Sequence, residues 1–176
     1  MNDKTEALIR DYLTLLSLSG VMVSLDQWTK WLVRTNIPFR GTWLPGFLSW
    51  LSPYARIVHW ANSGAAFGSF QNSNPVFVVL SFIVIAVILS LYWRVDVSDW
   101  TMRLGMGLYM SGVAGNLVDR LARGVVTDFI SIGNFAVFNL ADSAISIAVV
   151  IVILGALSKE WKTEPENEND RESLSE

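Results

Sequence analysis

The chain has 176 residues, of which 52% are hydrophobic and 16% charged, with no cysteine and one histidine. A charged fraction well below the roughly 25% of ordinary soluble domains points to a membrane, and the length points to one domain. Without cysteine there is no thiol nucleophile, disulfide, iron–sulfur cluster or thiolate zinc site, and one histidine, His59, argues against a His-rich catalytic metal centre.

The formal charge of −3 belongs mostly to the end of the chain: residues 159–176 carry a net −4 and residues 1–158 a net +1. That tail, rich in Glu, Asn and Ser, reads as a solvated, disordered cytoplasmic segment outside a single membrane domain of residues 1–158.

Four apolar segments follow in chain order, at about 12–33, 75–93, 101–118 and 138–157. The second is nineteen residues without a charge; as a helix rising ~1.5 Å per residue it nearly spans a ~30 Å hydrocarbon core. The first is no cleaved signal peptide, since it lacks a small-residue cleavage site and carries Asp26 and Lys30 in its second half. Trp28, Trp31, Trp93, Trp100 and Trp161 sit at segment ends as an aromatic belt. Gly107, Ser111 and Gly115, with Gly105 and Gly112 beside them, let a neighbouring backbone come close to the third segment. The expectation is an all-α membrane protein, a four-transmembrane-helix bundle. The loop over residues 34–74 contains Trp43, Phe47, Trp50, Tyr54, Trp60, Phe67 and Phe70 and a β-prone stretch at 56–60, and predicts a small β-rich cradle on the bilayer surface between helices 1 and 2. Counts of Lys and Arg, seven on the side of the termini and six opposite, favour cytoplasmic termini only weakly.

Ionisable groups at membrane depth are costly, so each requires a reason. Asp26, Lys30, Asn62, Asn116, Asp119, Arg120, Asp128, Asn139 and Asp142 all fall where helices emerge on one face. Each has a structural reading beside the functional one. Asp26 and Lys30, four apart, read as an ion pair that lets Lys30 snorkel. Asn116, Asp119 and Arg120 read as a helix end with its counter-ion, and Asn139 with Asp142 as an N-cap and its N3 carboxylate. His59 reads as a packed or surface residue. What favours function is that Asp128 and Asp142 flank one short connection. Two carboxylates brought together share a proton, so one acts as base while the other acts as acid toward water, with no metal or covalent intermediate.

Five blocks in order, Asp26-Gln-Trp-Thr-Lys30, Asn62-Ser-Gly-Ala-Ala-Phe-Gly68, Gly115-Asn-Leu-Val-Asp-Arg120, Gly124-Val-Val-Thr-Asp-Phe129 and Phe138-Asn-Leu-Ala-Asp142, resemble the bacterial lipoprotein signal peptidases, the type II signal peptidases. The resemblance spans about residues 10–157. It implies an aspartic endopeptidase of the bacterial inner membrane, without cofactor, that cuts signal peptides from prolipoproteins just before a diacylglyceryl-modified cysteine. It implies cytoplasmic termini, a site at the periplasmic face, a catalytic dyad at Asp128 and Asp142, and supporting roles for Asp26, Lys30, Asn62, Asn116, Asp119, Arg120 and Asn139. Its partners would be prolipoproteins and membrane lipids, with no nucleic acid, and the protein itself would be a monomer. Two departures are Ser111-Gly112-Val113, where the family often has G-G-A, and Thr127, where valine is common. The competing reading is a small four-span proton-coupled transporter using buried Asp residues. It would spread polar groups through the bilayer depth, whereas the second segment offers only Ser81 and Ser90.

Overall fold

The structure is a computed structural model that describes residues 3–64 and 73–163. Phe67, Phe70, the second half of the Asn62 to Gly68 block and most of the acidic tail lie outside the described residues. Four α-helices, α1 (Asp3–Asn36), α2 (Asn74–Tyr92), α3 (Trp100–Arg123) and α4 (Leu140–Thr163), pack together beneath a sheet of three short strands.

α1, α2 and α4 are long and apolar enough to cross a membrane. Their outer faces carry exposed large aliphatics such as Val21, Val79, Ile83, Ile147 and Ile153, as expected of faces turned to lipid. α3 is as long as α4, but its second half carries Asn116, Asp119, Arg120 and Arg123. It is the central helix of the packing, and its small residues permit this. A Cβ on Gly105 would run into Val152 Cγ2, and one on Gly112 into Ala141 O, so α4 lies directly on α3. Gly124, at φ 76°, then ends α3 in the left-handed conformation that glycine adopts without a Cβ penalty.

Leu15, Ile88, Tyr92 and Met110 form the apolar core at the end of the bundle near the termini, where Tyr12 Oη donates to Leu89 O at 2.7 Å. Arg103 pairs with Asp11 at 2.7 Å, and Asp99 caps α3 and pairs with Lys159 of α4. A second cluster, Val33, Ile37 and Phe129, lies where α1 meets the sheet.

The sheet corrects the expected cradle. Residues 34–74 supply β1 (Thr42–Trp43), a 3-10 helix (Gly46–Leu51) and β2 (Ala55–Asn62), while α1 itself runs on to Asn36. The third strand, β3 (Val126–Ile132), comes from the connection between α3 and α4 and pairs antiparallel with β2, Trp60 opposite Asp128 and Asn62 opposite Val126. β3 is buried along almost its whole length, which suits Val126, Phe129 and Ile130. Asp128 is therefore a strand residue, and the connection between α3 and α4 is in part a strand of the sheet. α1 also begins at Asp3, well before residue 12, because the polar turn 3–11 continues the helix beyond the apolar segment.

Candidate active site

Asp128 and Asp142 line one open cleft of about 610 Å³, together with Asn62, Arg120, Phe138 and Ser146. β3 holds Asp128 on the sheet face that also carries Asn62, and the first turn of α4 holds Asp142. Asn62 Nδ2 donates to Asp128 Oδ2 at 3.0 Å, and Asn139 Nδ2 donates to Asp128 Oδ1 at 2.7 Å. Asn116 Nδ2 donates to Asp142 Oδ1 at 2.8 Å.

The structural reading of Asn139 and Asp142 holds as well. Asp142 N donates to Asn139 Oδ1 at 3.0 Å and Asn139 N to Asp142 Oδ2 at 3.1 Å, a reciprocal capping box at the start of α4. The cap fixes the Asn139 amide: its oxygen is committed to the helix, so its Nδ2 must turn toward acceptors, which are Asp128 Oδ1 and Asn116 Oδ1, the latter at 3.1 Å.

Lys30 fixes Asn116 in the same way. Its ammonium can only donate, and it reaches Asn116 Oδ1 at 3.0 Å, which turns the Asn116 Nδ2 onto Asp142. Lys30 is wholly buried and does not snorkel; it pairs with Asp26 at 2.8 Å and Asp119 at 3.4 Å, so the pair expected to be a surface feature is an internal one. Two buried acids around one buried cation are how a charge at this depth is tolerated. Asp26 Oδ1 also accepts from Ala141 N at 3.0 Å, tying α1 to the first turn of α4. Gly115 makes room for this, since a Cβ there would stand 2.7 Å from Asp26 Oδ2.

Arg120 behaves otherwise than expected. It makes no ion pair with Asp119 among the described residues; its guanidinium lies 5.0 Å from the Phe77 ring centroid and its side chain lines the cleft. Asp119 is held instead by Lys30, by Arg34 at 3.4 Å and Arg123 at 3.2 Å, and by Thr127 N at 3.0 Å. Sequence reasoning missed Arg34 and Arg123. For Arg123 the available signal was its spacing, four residues beyond Asp119 on the same helix; Arg34 reaches Asp119 from α1, a pairing between helices that no local spacing reports. Arg34 also donates to Thr127 Oγ1 at 3.0 Å, beside Asp128. His59 lies apart, its Nδ1 2.8 Å from Ile37 O and its ring edge-on to Phe39, a packed residue.

Asp128 is 2% exposed, and burial, followed by the negative charge of Asp142, pushes its carboxyl up to about 7. The N–H donors of Asn62 and Asn139 and the charge of Lys30 pull the other way and only partly offset this. A carboxyl poised near neutrality beside a second carboxyl, in an open cleft, is equipped for proton transfer. Among the described residues no group of three or more His, Cys, Asp or Glu side chains is arranged to hold a metal ion.

The family model described as Signal peptidase (SPase) II matches residues 18–158. A lipoprotein signal peptidase of Shouchella clausii is 37% identical over 138 residues, covering 78% of this chain and 88% of its own. One of Bartonella tribocorum is 34% identical over 173 residues, covering 94% of this chain and 99% of its own. Two solved bacterial membrane enzymes share the fold. One has a TM-score of 0.78 at 23% identity over 88% of this chain and 93% of the other. The second has a TM-score of 0.72 at 25% identity over 82% and 92%.

Proposed function

This chain belongs to the signal peptidase II family, and from that premise we propose that it removes signal peptides from prolipoproteins as an aspartic endopeptidase whose dyad is Asp128 and Asp142. The observation that carries the reading is the amide chain joining the two carboxylates, Asn139 on Asp128 and Asn116 on Asp142, with Asn139 also donating to Asn116.

In this reading a water between the carboxylates attacks the scissile carbonyl carbon. One carboxylate takes the water's proton while the other carboxyl gives its proton to the carbonyl oxygen. The tetrahedral intermediate then collapses: the carbon–nitrogen bond breaks, the amine leaves with a proton from the dyad, and a hydroxyl of the intermediate gives its proton back to the dyad, which regains its single shared proton. Asn62, Asn116 and Asn139 hold the carboxylates without adding charge; Asp26, Lys30 and Asp119 brace Asn116; and Arg120 faces substrate from the cleft wall. Cleavage falls before a diacylglyceryl-modified cysteine, whose acyl chains stay in the bilayer beside the helices.

The protein acts as a monomer in the bacterial inner membrane, α3 being the fourth span, with cytoplasmic termini and the cleft and sheet at the outer face. Residues 1–158 form the working domain. Reconstitution in liposomes with a prolipoprotein, with and without its diacylglyceryl group, tests the function: the modified precursor is cut at the cysteine and the unmodified one is not. Equal cutting of both, or of neither, contradicts it.

A further inference from the structure

Arg40 is the only described residue other than glycine with positive φ, at 63°. That conformation is unfavourable for an L-residue unless its surroundings impose it. Here the neighbouring strand imposes it: Arg40 N donates to His59 O at 2.9 Å, and His59 N to Gly41 O at 3.1 Å, which pins the turn beside β2. The result is a guanidinium 5.9 Å from the Trp60 ring centroid and 5.5 Å from that of Phe39. Both rings are about half exposed, and Arg40 has no acidic partner among the described residues. Trp60 in turn stands directly across the ladder from Asp128, so the two side chains share one sheet face.

Resting on the peptidase reading above, we propose that Arg40 and Trp60 form a docking surface for the mature segment of the substrate and favour an acidic side chain shortly after the cut. The geometry gives the direction. The apolar signal segment belongs in the bilayer, beside the exposed aliphatic faces of the helices. The segment after the cut leaves the bilayer, and the sheet is the extramembrane element at the cleft. Cross-strand side chains stand ~5 Å apart, and the cation lies 5.9 Å from the Trp60 ring centroid, so at most roughly three extended residues at ~3.3 Å each separate the scissile bond from the guanidinium. Trp60 supplies a flat apolar floor for that stretch, and Arg40 supplies the charge.

The test uses the full chain in liposomes and three lipid-modified precursors that differ only in the third residue after the cysteine: Asp, Asn or Lys. Wild type prefers Asp over Lys by about two- to five-fold in kcat/KM, the range of an exposed ion pair. Arg40→Glu inverts the order and Arg40→Lys keeps it. Arg40→Gly, which relieves the positive φ, brings the three rates together. An order unchanged by Arg40→Gly overturns the proposal. So does a fall for all three precursors alike that tracks the anionic phospholipid content of the vesicles, which would assign Arg40 to the bilayer surface. Failure of wild type to cut any precursor contradicts the peptidase reading itself, whereas uniform cutting contradicts only the docking surface.

Discussion

Asn139 Nδ2 donates to Asp128 Oδ1 at 2.7 Å while the oxygen of the same amide caps the helix that begins at the next residue. One side chain thus fixes the distance between strand β3 and helix α4. Asn139→Ala removes both bonds. It is expected to lower cleavage at least about a hundredfold, the scale of a lost proton-transfer geometry, while the cap loss costs about 1 kcal/mol in stability. Asn139→Ser keeps a capping oxygen but no amide, so it should recover the stability without the rate. Thermal unfolding and initial rates on both variants separate the two roles.

Lys30→Met should destabilise the protein by roughly 3–5 kcal/mol, because Asp26 stays buried without its cation, while Asp119 keeps Arg34 and Arg123. Chemical unfolding in detergent checks the size. Removing Asp26 as well should cost less than the two single changes added together, since the pair acts through one contact.

Thr127→Val removes the acceptor that Arg34 uses at 3.0 Å, but Arg34 keeps Asp119. The expected cost is about 0.5–1.5 kcal/mol with cleavage within a few-fold of wild type. A large loss of rate in this variant, measured at saturating substrate, would mean that the Arg34 contact itself sets the position of Asp128.

Asp128 titrates near 7 because it is buried and faces the charge of Asp142, well above the ordinary carboxylate value of 3.8. The folded state therefore holds a proton that the unfolded state has released between about pH 3.8 and 7. Stability from this group falls as pH rises through that window and is level above it. Cleavage that needs the dyad's shared proton should decline as pH rises past about 7. Replacing Asp142 by Asn removes the second cause, so the Asp128 carboxyl should titrate lower in that variant, as followed by carbon-13 NMR of labelled Asp. An unchanged titration would separate the two groups electrostatically. A chelator should leave the wild-type rate intact.

How much of the fold and site is legible in the sequence depends on the kind of interaction. α2 is read from hydropathy almost to the residue, because an apolar run of helical length has few alternatives, whereas α4 runs on to Thr163, past the apolar segment that ends at about 157, through polar residues that hydropathy does not count. The start of α1 is not legible either, since residues 3–11 are too polar to show a span yet helical enough to extend one. β3 was missed because its pairing with β2 joins positions more than sixty residues apart, which no local period reports. The same holds for the charges. Asp26 with Lys30 is a four-residue spacing and was found, although its burial comes from α3 and α4 closing over it. From sequence Arg120 anchors either Asp119 or a lipid head group; successive helical residues point about 100° apart, so Arg120 turns from the adjacent Asp119 to Phe77 and the cleft.

Whether Asp128 and Asp142 act together is read from the cleavage rate of a diacylglyceryl-modified prolipoprotein by Asp128→Asn and Asp142→Asn, each reconstituted at equal amount with its helix content checked. Asn keeps the shape and removes the proton transfer, so each variant should lose at least about a hundredfold in rate, and the double variant little more than either alone. Wild-type cleavage by either single variant would contradict the account.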